Sequence, residues 1–483
     1  MEAQYLVVSD LHLADVEDHE DGWKFYKGSR YAFDEDFADL LQQFADDCEQ
    51  QSTLILNGDI FDFDLVSDSP EKPPWKVSRS ERRRGLRPTP EKSAWKLERI
   101  LDHHPEFLAA LARFSGAGHR VVYVLGNHDR EMHFPEVEQL LRTRLQQAAK
   151  SADVDHDPTS LTVEPWFFYE KDRIYAEHGN QYDYYSSFRY ILDPVVKRKG
   201  GEELALPMGN ISNRLLMSRM GYFNPHSTDY ILNMFRYFLH WFRFYAFSRH
   251  GLLFSWLIGS FMTMRRLLST KGRLQRRPPA QYEQRFQDQL DRSDMTAEQL
   301  KAIRSLQKPP ITNRVFRIIR EFWIDRLIMG FFMTGGTIAL ALVPIDLWIK
   351  LMVPLSCFPL LYFLYESVVQ GETVFSAEDG VNKHAFPIAK VLRVPVIVFG
   401  HTHAPGLRPI GPNISFVNTG TWAPITRRPM ALARRGFRNF LIARFPGGVP
   451  CLELGARLGI SADVEAGAGR YHRQPETDTT EIP

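Results

Sequence analysis

Five short apolar runs along the chain each stop on residues that can bind a cation. YLVV at 5–8 is followed by Asp10 and His12, and TLIL at 53–56 by Asp59 and Asp62. VVYVL at 121–125 leads into Asn127 and His128, RIYA at 173–176 into His178, and VPVIVF at 394–399 into His401 and His403. Continuous β-branched runs of this length, most ended beside a glycine, predict buried strands. Helical spacing over 33–50 and 91–116 separates the first three, and that β-α-β alternation predicts a mostly parallel α/β core. After the last pair, NISFVNTGTW and RNFLIARFPGGVPCLEL predict antiparallel strands closing a second sheet.

Elsewhere the pattern changes. Residues 327–345 contain no charge and 347–365 contain only Lys350, with Pro344 and Asp346 between them. Each would make a helix of roughly 28 Å, close to the thickness of a bilayer's hydrocarbon. A helical hairpin entering a membrane is expected, with Pro344, Pro354 and Pro359 favouring irregular or re-entrant helices. Buried core helices or a dimer interface are the alternatives. Residues 184–269 mix aromatics with arginine, and Arg236, His240, Arg243 and Arg249 interrupt them too often for a spanning helix. That composition suits a helix lying at an interface or packed as a cap.

Residues 270–312 read as a polar linker with one short helix, TAEQLKAIRSL, and 66–92 as a basic, proline-rich solvated loop, with a loop facing an anion or a headgroup as the alternative. The expected organisation is a core at 1–183 and 371–455, a cap at 184–324, an apolar hairpin at 325–370 and a mobile tail at 456–483.

A formal charge of +1 over 483 residues excludes a globally basic, nucleic-acid-binding chain. Three scattered cysteines, Cys48, Cys357 and Cys451, argue against disulfides or a thiolate metal site. The start MEAQYLVVSD lacks the basic and apolar regions of a signal peptide.

Carboxylate, imidazole and amide ligands without thiolate suit divalent ions such as Mn²⁺, the first expectation, or Fe²⁺ and Zn²⁺. Two such ions about 3.5–4 Å apart share a bridging carboxylate and activate a hydroxide for in-line attack on phosphorus. The leaving alkoxide then needs a proton, which His128 supplies if another carboxylate orients it. Asn127 would hold a metal while His128 faces the substrate.

In order along the chain, D-x-H, G-D-x-x-D, G-N-H-D, H-G and G-H-T-H resemble the calcineurin-like metallophosphoesterases over residues 4–183 and 371–455. FVNTGTW resembles that family's Asn-x-Gly-Ser/Thr strand. The resemblance implies a two-sheet α/β/β/α sandwich, here with a large helical, membrane-seeking insertion. It implies that Asp10, His12, Asp59 and His403 bind one metal, and that Asp59, Asn127, His178 and His401 bind the other. His128 becomes the acid, paired with Asp62, and Asn127 and His128 contact substrate.

The opening SDLHL, the helical insertion and the apolar surface also resemble the UDP-2,3-diacylglucosamine hydrolase branch, which carries arginine where this chain has His128. The expected protein is a phosphohydrolase on the cytoplasmic face of a membrane, acting on a lipid-linked phosphoester or pyrophosphate, with membrane lipids as partners and no nucleic acid. The alternatives are a soluble nucleotide or protein phosphatase whose apolar insertion forms a homodimer, and an inactive scaffold on the same fold.

Overall fold

The computed structural model describes residues 3–18, 24–29, 32–198, 201–217, 242, 252–268, 278–311, 315–368, 377–423, 437–458 and 472–473. Arg236, His240, Trp241, Arg243, Arg249 and Arg314 lie outside the described residues.

In chain order the strands are β1 (Gln4–Val8), β2 (Thr53–Asn57), β3 (Arg120–Val124), β4 (Leu161–Glu164), β5 (Phe167–Glu170) and β6 (Ile174–Glu177). They continue with β7 (Val195–Arg198), β8 (Gly201–Leu204), β9 (Val396–Phe399), β10 (Gly406–Gly411) and β11 (Ile414–Asn418), then β12 (Phe437–Arg444), β13 (Cys451–Leu458) and β14 (His472–Arg473). One sheet runs β14-β13-β12-β1-β2-β3-β4 and a second runs β10-β11-β9-β6-β5. The β1–β4 pairs are parallel, as are β6–β9 and β9–β11.

Alternation along the strands builds the layers. Val7, Ile55 and Val122 of the first sheet share one buried cluster with Ala176, Val398 and Val417 of the second. Their neighbours Leu6, Leu54 and Val121 turn the other way, onto helices Asp34–Asp46, Pro90–His103, Pro105–Gly116 and Pro135–Ser151. Tyr175, Ile397 and Phe416 turn outward onto a third cluster with helices Tyr282–Arg292, Ala297–Leu306 and Ala385–Leu392. Because successive side chains on a strand face opposite ways, two-faced apolar runs become the middle of an α/β/β/α stack.

Several expectations change. The helical stretch at 91–116 is two helices, broken where Pro105 starts the second. The hairpin β12–β13 joins the first sheet, through antiparallel pairing of β12 with β1. It belongs there because Phe440 and Ile442 feed one face of that sheet while Leu441 and Ala443 feed the other. The expected tail begins inside β13, and β14 pairs back onto Gly455 and Ala456.

The stretch at 270–312 is no linker: it holds two helices, and Tyr282, Phe286, Leu300 and Ile303 are buried in the outer core of the second sheet. In the basic loop, Arg79–Arg84 form a helix closed by a Ser78/Glu81 capping box.

The apolar runs become helices Ile324–Leu342 and Leu347–Val368, and neither has a buried residue. Pro354 and Pro359 lie inside the second without ending it. Burial in this chain's core is therefore excluded. At the base Arg326 reaches Glu366 at 2.6 Å and Tyr365 donates to Asp325; at the tip Lys350 Nζ donates to the Ala341 carbonyl at 2.8 Å.

Candidate metal centre

The C-terminal ends of β1, β2, β3, β6 and β9 meet at one edge of the stack, where open α/β sheets bind ligands. Loop backbones tie the ends together. Asp10 N–H donates to Gly58 O at 3.0 Å and His12 N–H to Asp59 O at 2.9 Å. Gly400 N–H donates to His178 O at 3.0 Å. Carboxylates lock the crossings: Asp59 Oδ1 accepts from His128 N–H at 2.7 Å, and Asp10 Oδ2 from His401 N–H at 3.1 Å.

Asp10, His12, Asp59, His401 and His403 all have φ between 52° and 67°. Left-handed backbone costs a non-glycine residue about 1–2 kcal/mol, and its concentration on five side chains of one site marks function. Gly126 and Gly400 are required by proximity, since a Cβ on either would strike the carboxylate of Asp59 or Asp10 respectively.

Two ligand groups form. Asp10, His12 and His403 converge, with Asp10 Oδ1 lying 3.0 Å from His403 Nε2 and 3.8 Å from His12 Nε2; the two imidazole nitrogens are 3.2 Å apart. Asp59, His178 and His401 form the second group, with Asp59 Oδ2 2.9 Å from His178 Nε2. Adjacent donors on one ion at about 2.1 Å stand about 3 Å apart when the coordination is octahedral.

Asn127 Oδ1 is buried without a hydrogen-bond partner among the described residues. An orphaned acceptor of this kind is expensive unless a cation takes it up. The residues present fit divalent ions.

Ionisation points the same way. Burial alone would raise Asp10 and Asp59, but the imidazoles of His178, His403 and His12 around Asp10, and of His178, His128 and His12 around Asp59, hold both well below the usual carboxylate range. Burial would lower His178, yet Asp59 and Asp10 bring it up to about 9. The site is built to hold positive charge, and bound ions would replace protons in that role.

His128 stands beside these groups, slightly exposed. Its Nδ1 lies 3.3 Å from Asp62 Oδ2 and 3.4 Å from Asp64 Oδ2. Burial works against its protonation, but Asp62 and Asp59 carry it well above the ordinary imidazole value. Asp62 is shared, since the same Oδ2 is 3.0 Å from His12 Nδ1, while its Oδ1 accepts from the Asp64 and Leu65 amides.

All the residues expected from sequence therefore gather here. Asp129 and Arg130 brace the loop: Asp129 accepts from the Ile60 and Gly126 amides and from Tyr123 O–H, and Arg130 donates to the carbonyls of Pro165 and Leu125.

Three residues escaped the sequence reading. Asp64 was legible as the second carboxylate of the D-F-D repeat. Asp183 Oδ2 sits 3.1 Å from His401 Nε2. Asn210, on helix Met208–Leu215, donates to Asp64 Oδ2 at 2.6 Å and to Asn127 O at 2.8 Å. Nothing near Asn210 in the sequence signals that contact, which depends on how the helix returns to the strand ends.

A sandwich whose strand ends assemble paired Asp/His groups beside a carboxylate-held histidine defines a metal-dependent phosphoric ester hydrolase. The calcineurin-like phosphoesterase family model matches residues 3–405, and the chain belongs to that family. A search of curated proteins returned no match.

Proposed function

We propose that this enzyme is a membrane-associated phosphohydrolase with two divalent ions, acting on a lipid-bearing phosphoester or pyrophosphate. Asp10, His12, Asp59 and His403 would hold one ion, and Asp59, Asn127, His178 and His401 the other. Bound ions of this kind supply an activated water and neutralise charge growing on the phosphoryl oxygens. Mn²⁺ is the first candidate for such oxygen and imidazole donors.

The chain's own contribution is positional and protonic. Asp62 and Asp64 engage His128 Nδ1. From Nε2 the protonated ring would pass a proton to the leaving alkoxide. Asn210 fixes both Asp64 and the Asn127 backbone, so acid and ligand loop keep one geometry.

The observation that carries the membrane reading is the hairpin: two helices of 19 and 22 residues, apolar and without a buried residue. Lipid is the solvent such a surface suits. Both halves of the catalytic core must lie on one side, and two crossings satisfy that. Arg317, Arg320 and Arg326 crowd the base while the tip offers Lys350, which favours the cytoplasmic side for the core.

The test fractionates cells expressing the full chain, then assays detergent-purified, Mn²⁺-loaded protein on soluble and acylated phosphoesters. Retention in the membrane pellet through high salt, release by detergent and preference for acylated substrates are expected. A protein that stays in the soluble fraction as a dimer would instead be the soluble phosphatase whose hairpin is its interface.

A further inference from the structure

Along helix Met208–Leu215, which holds Asn210 against the metal-centre loop, runs a cavity of about 630 Å³. Six arginines line it: Arg84, Arg87, Arg189, Arg214, Arg265 and Arg266. The one carboxylate in the lining, Glu81, already receives Lys92 and closes the cap of its own helix. Behind the wall, buried Glu203 is shared by Arg87 and Arg266.

Between the guanidiniums the walls are apolar, with Leu206, Ile211, Phe261 and Met262.

Like charges around one hollow repel each other, and of the six only Arg214 is buried, where it donates to the Gly85 carbonyl at 2.7 Å. Guanidinium groups in that setting suit planar or tetrahedral oxyanions, which they bind through paired hydrogen bonds. The apolar faces between them suit hydrocarbon. Arg214 stands one helical turn beyond Asn210, a rise of about 6 Å, so a ligand in the cavity is within reach of the metal centre.

We propose that this cavity binds an anionic amphiphile: it takes a second negative group and the first methylenes of a chain whose scissile phosphate lies at the metals. The inference rests on the phosphohydrolase reading above and adds the demand for two separated anionic groups. Phe261 and Arg265 form its mouth. They are exposed, four residues apart on one face of helix Leu252–Leu268, and supply one apolar and one cationic contact.

The test measures binding to full-length protein in phosphatidylcholine nanodiscs, stripped of metal with EDTA so that hydrolysis does not enter. The probes are dihexanoylglycerol phosphonate, inorganic phosphate and dihexanoylphosphatidylcholine. The phosphonate should bind at least tenfold more tightly than either of the others, and Phe261→Ser with Arg265→Ser should weaken it at least tenfold. Arg265→Lys with Phe261 intact should recover part of that loss.

Phosphonate binding unchanged in the double variant, or matched by phosphatidylcholine, overturns the proposal. Inorganic phosphate binding as tightly as the phosphonate overturns the amphiphile and makes the cavity a site for free phosphates. A protein that binds as expected yet hydrolyses no phosphoester when loaded with metal would refute the enzymatic reading and leave the cavity's ligand standing.

Discussion

Asp62 Oδ2 lies within 3.3 Å of two imidazoles, that of His12, the proposed ligand, and that of His128, the proposed acid, whose Nδ1 also lies 3.4 Å from Asp64 Oδ2. His128 is therefore steadied by two carboxylates and not by Asp62 alone. Replacing it by Gln should keep the metals and cost about 10²–10⁴ in rate on alkyl phosphoesters, with a smaller loss on nitrophenyl esters that need no proton. Metal content by mass spectrometry and rates on the two substrate types check this; an equal loss on both sinks the acid role.

A second prediction concerns Glu177, buried beneath the site with Trp166 Nε1–H and Tyr175 O–H donating to its Oε2. Burial outweighs those bonds and raises it to about 7. The folded chain thus keeps a proton there between pH about 4.5, where the unfolded carboxyl ionises, and pH about 7. Stability falls as pH rises through that window, and the deficit is complete above it. Glu177→Gln should gain up to about 3 kcal/mol at pH 8 and little at pH 5. Urea unfolding at both values decides it, and an equal gain at both refutes the assignment.

At this scale the sequence was informative because each ligand follows directly on an apolar run. Asn210 was not legible, since its partners are 83 and 146 residues away.

The five ligand-bearing strands and the helices between them could be read because apolar runs ended by polar clusters leave few other structures. What failed was legibility in elements that bury little. Helix Tyr282–Arg292 is mostly Gln, Asp and Arg, with Tyr282 and Phe286 one turn apart as its buried apolar side chains. Two such positions are too sparse to show a period against so much polarity. Phe286→Ala should nevertheless cost about 3–5 kcal/mol, as core aromatic truncation does, and would cost almost nothing were the segment a linker. Denaturant midpoints measured on the full chain separate the two. The sequence identifies β12 and β13 as strands but not the sheet they join, because pairing partners are not encoded in a strand's own alternation.

In the whole molecule the hairpin stands apart from the sandwich, its two helices meeting at the base through Arg326, Glu366, Asp325 and Tyr365. That closure brings the chain back to where it left. A short Gly-Ser linker in place of residues 325–368 should move the protein from the membrane fraction to the soluble one, with nitrophenyl ester hydrolysis retained. Continued pelleting would place the membrane contact elsewhere. Chelation followed by Mn²⁺ should abolish and restore turnover in both forms, and activity surviving exhaustive chelation would contradict the metal assignment.

The order of the second sheet has a further consequence for synthesis. β9 lies between β6 and β11, and His401 and His403 follow it, yet it reaches the tunnel exit only after the whole hairpin has been made. A nascent chain that has already produced Asp10, His12, Asp59 and His178 therefore waits through some two hundred residues with both ligand groups incomplete and one side of β6 unpaired. At about 5–20 residues per second that interval lasts on the order of ten to forty seconds. The ribosome thus imposes an order of events in which the hairpin exists before either ligand group is complete. A newly made molecule stays without a full metal centre until its hairpin has left the tunnel.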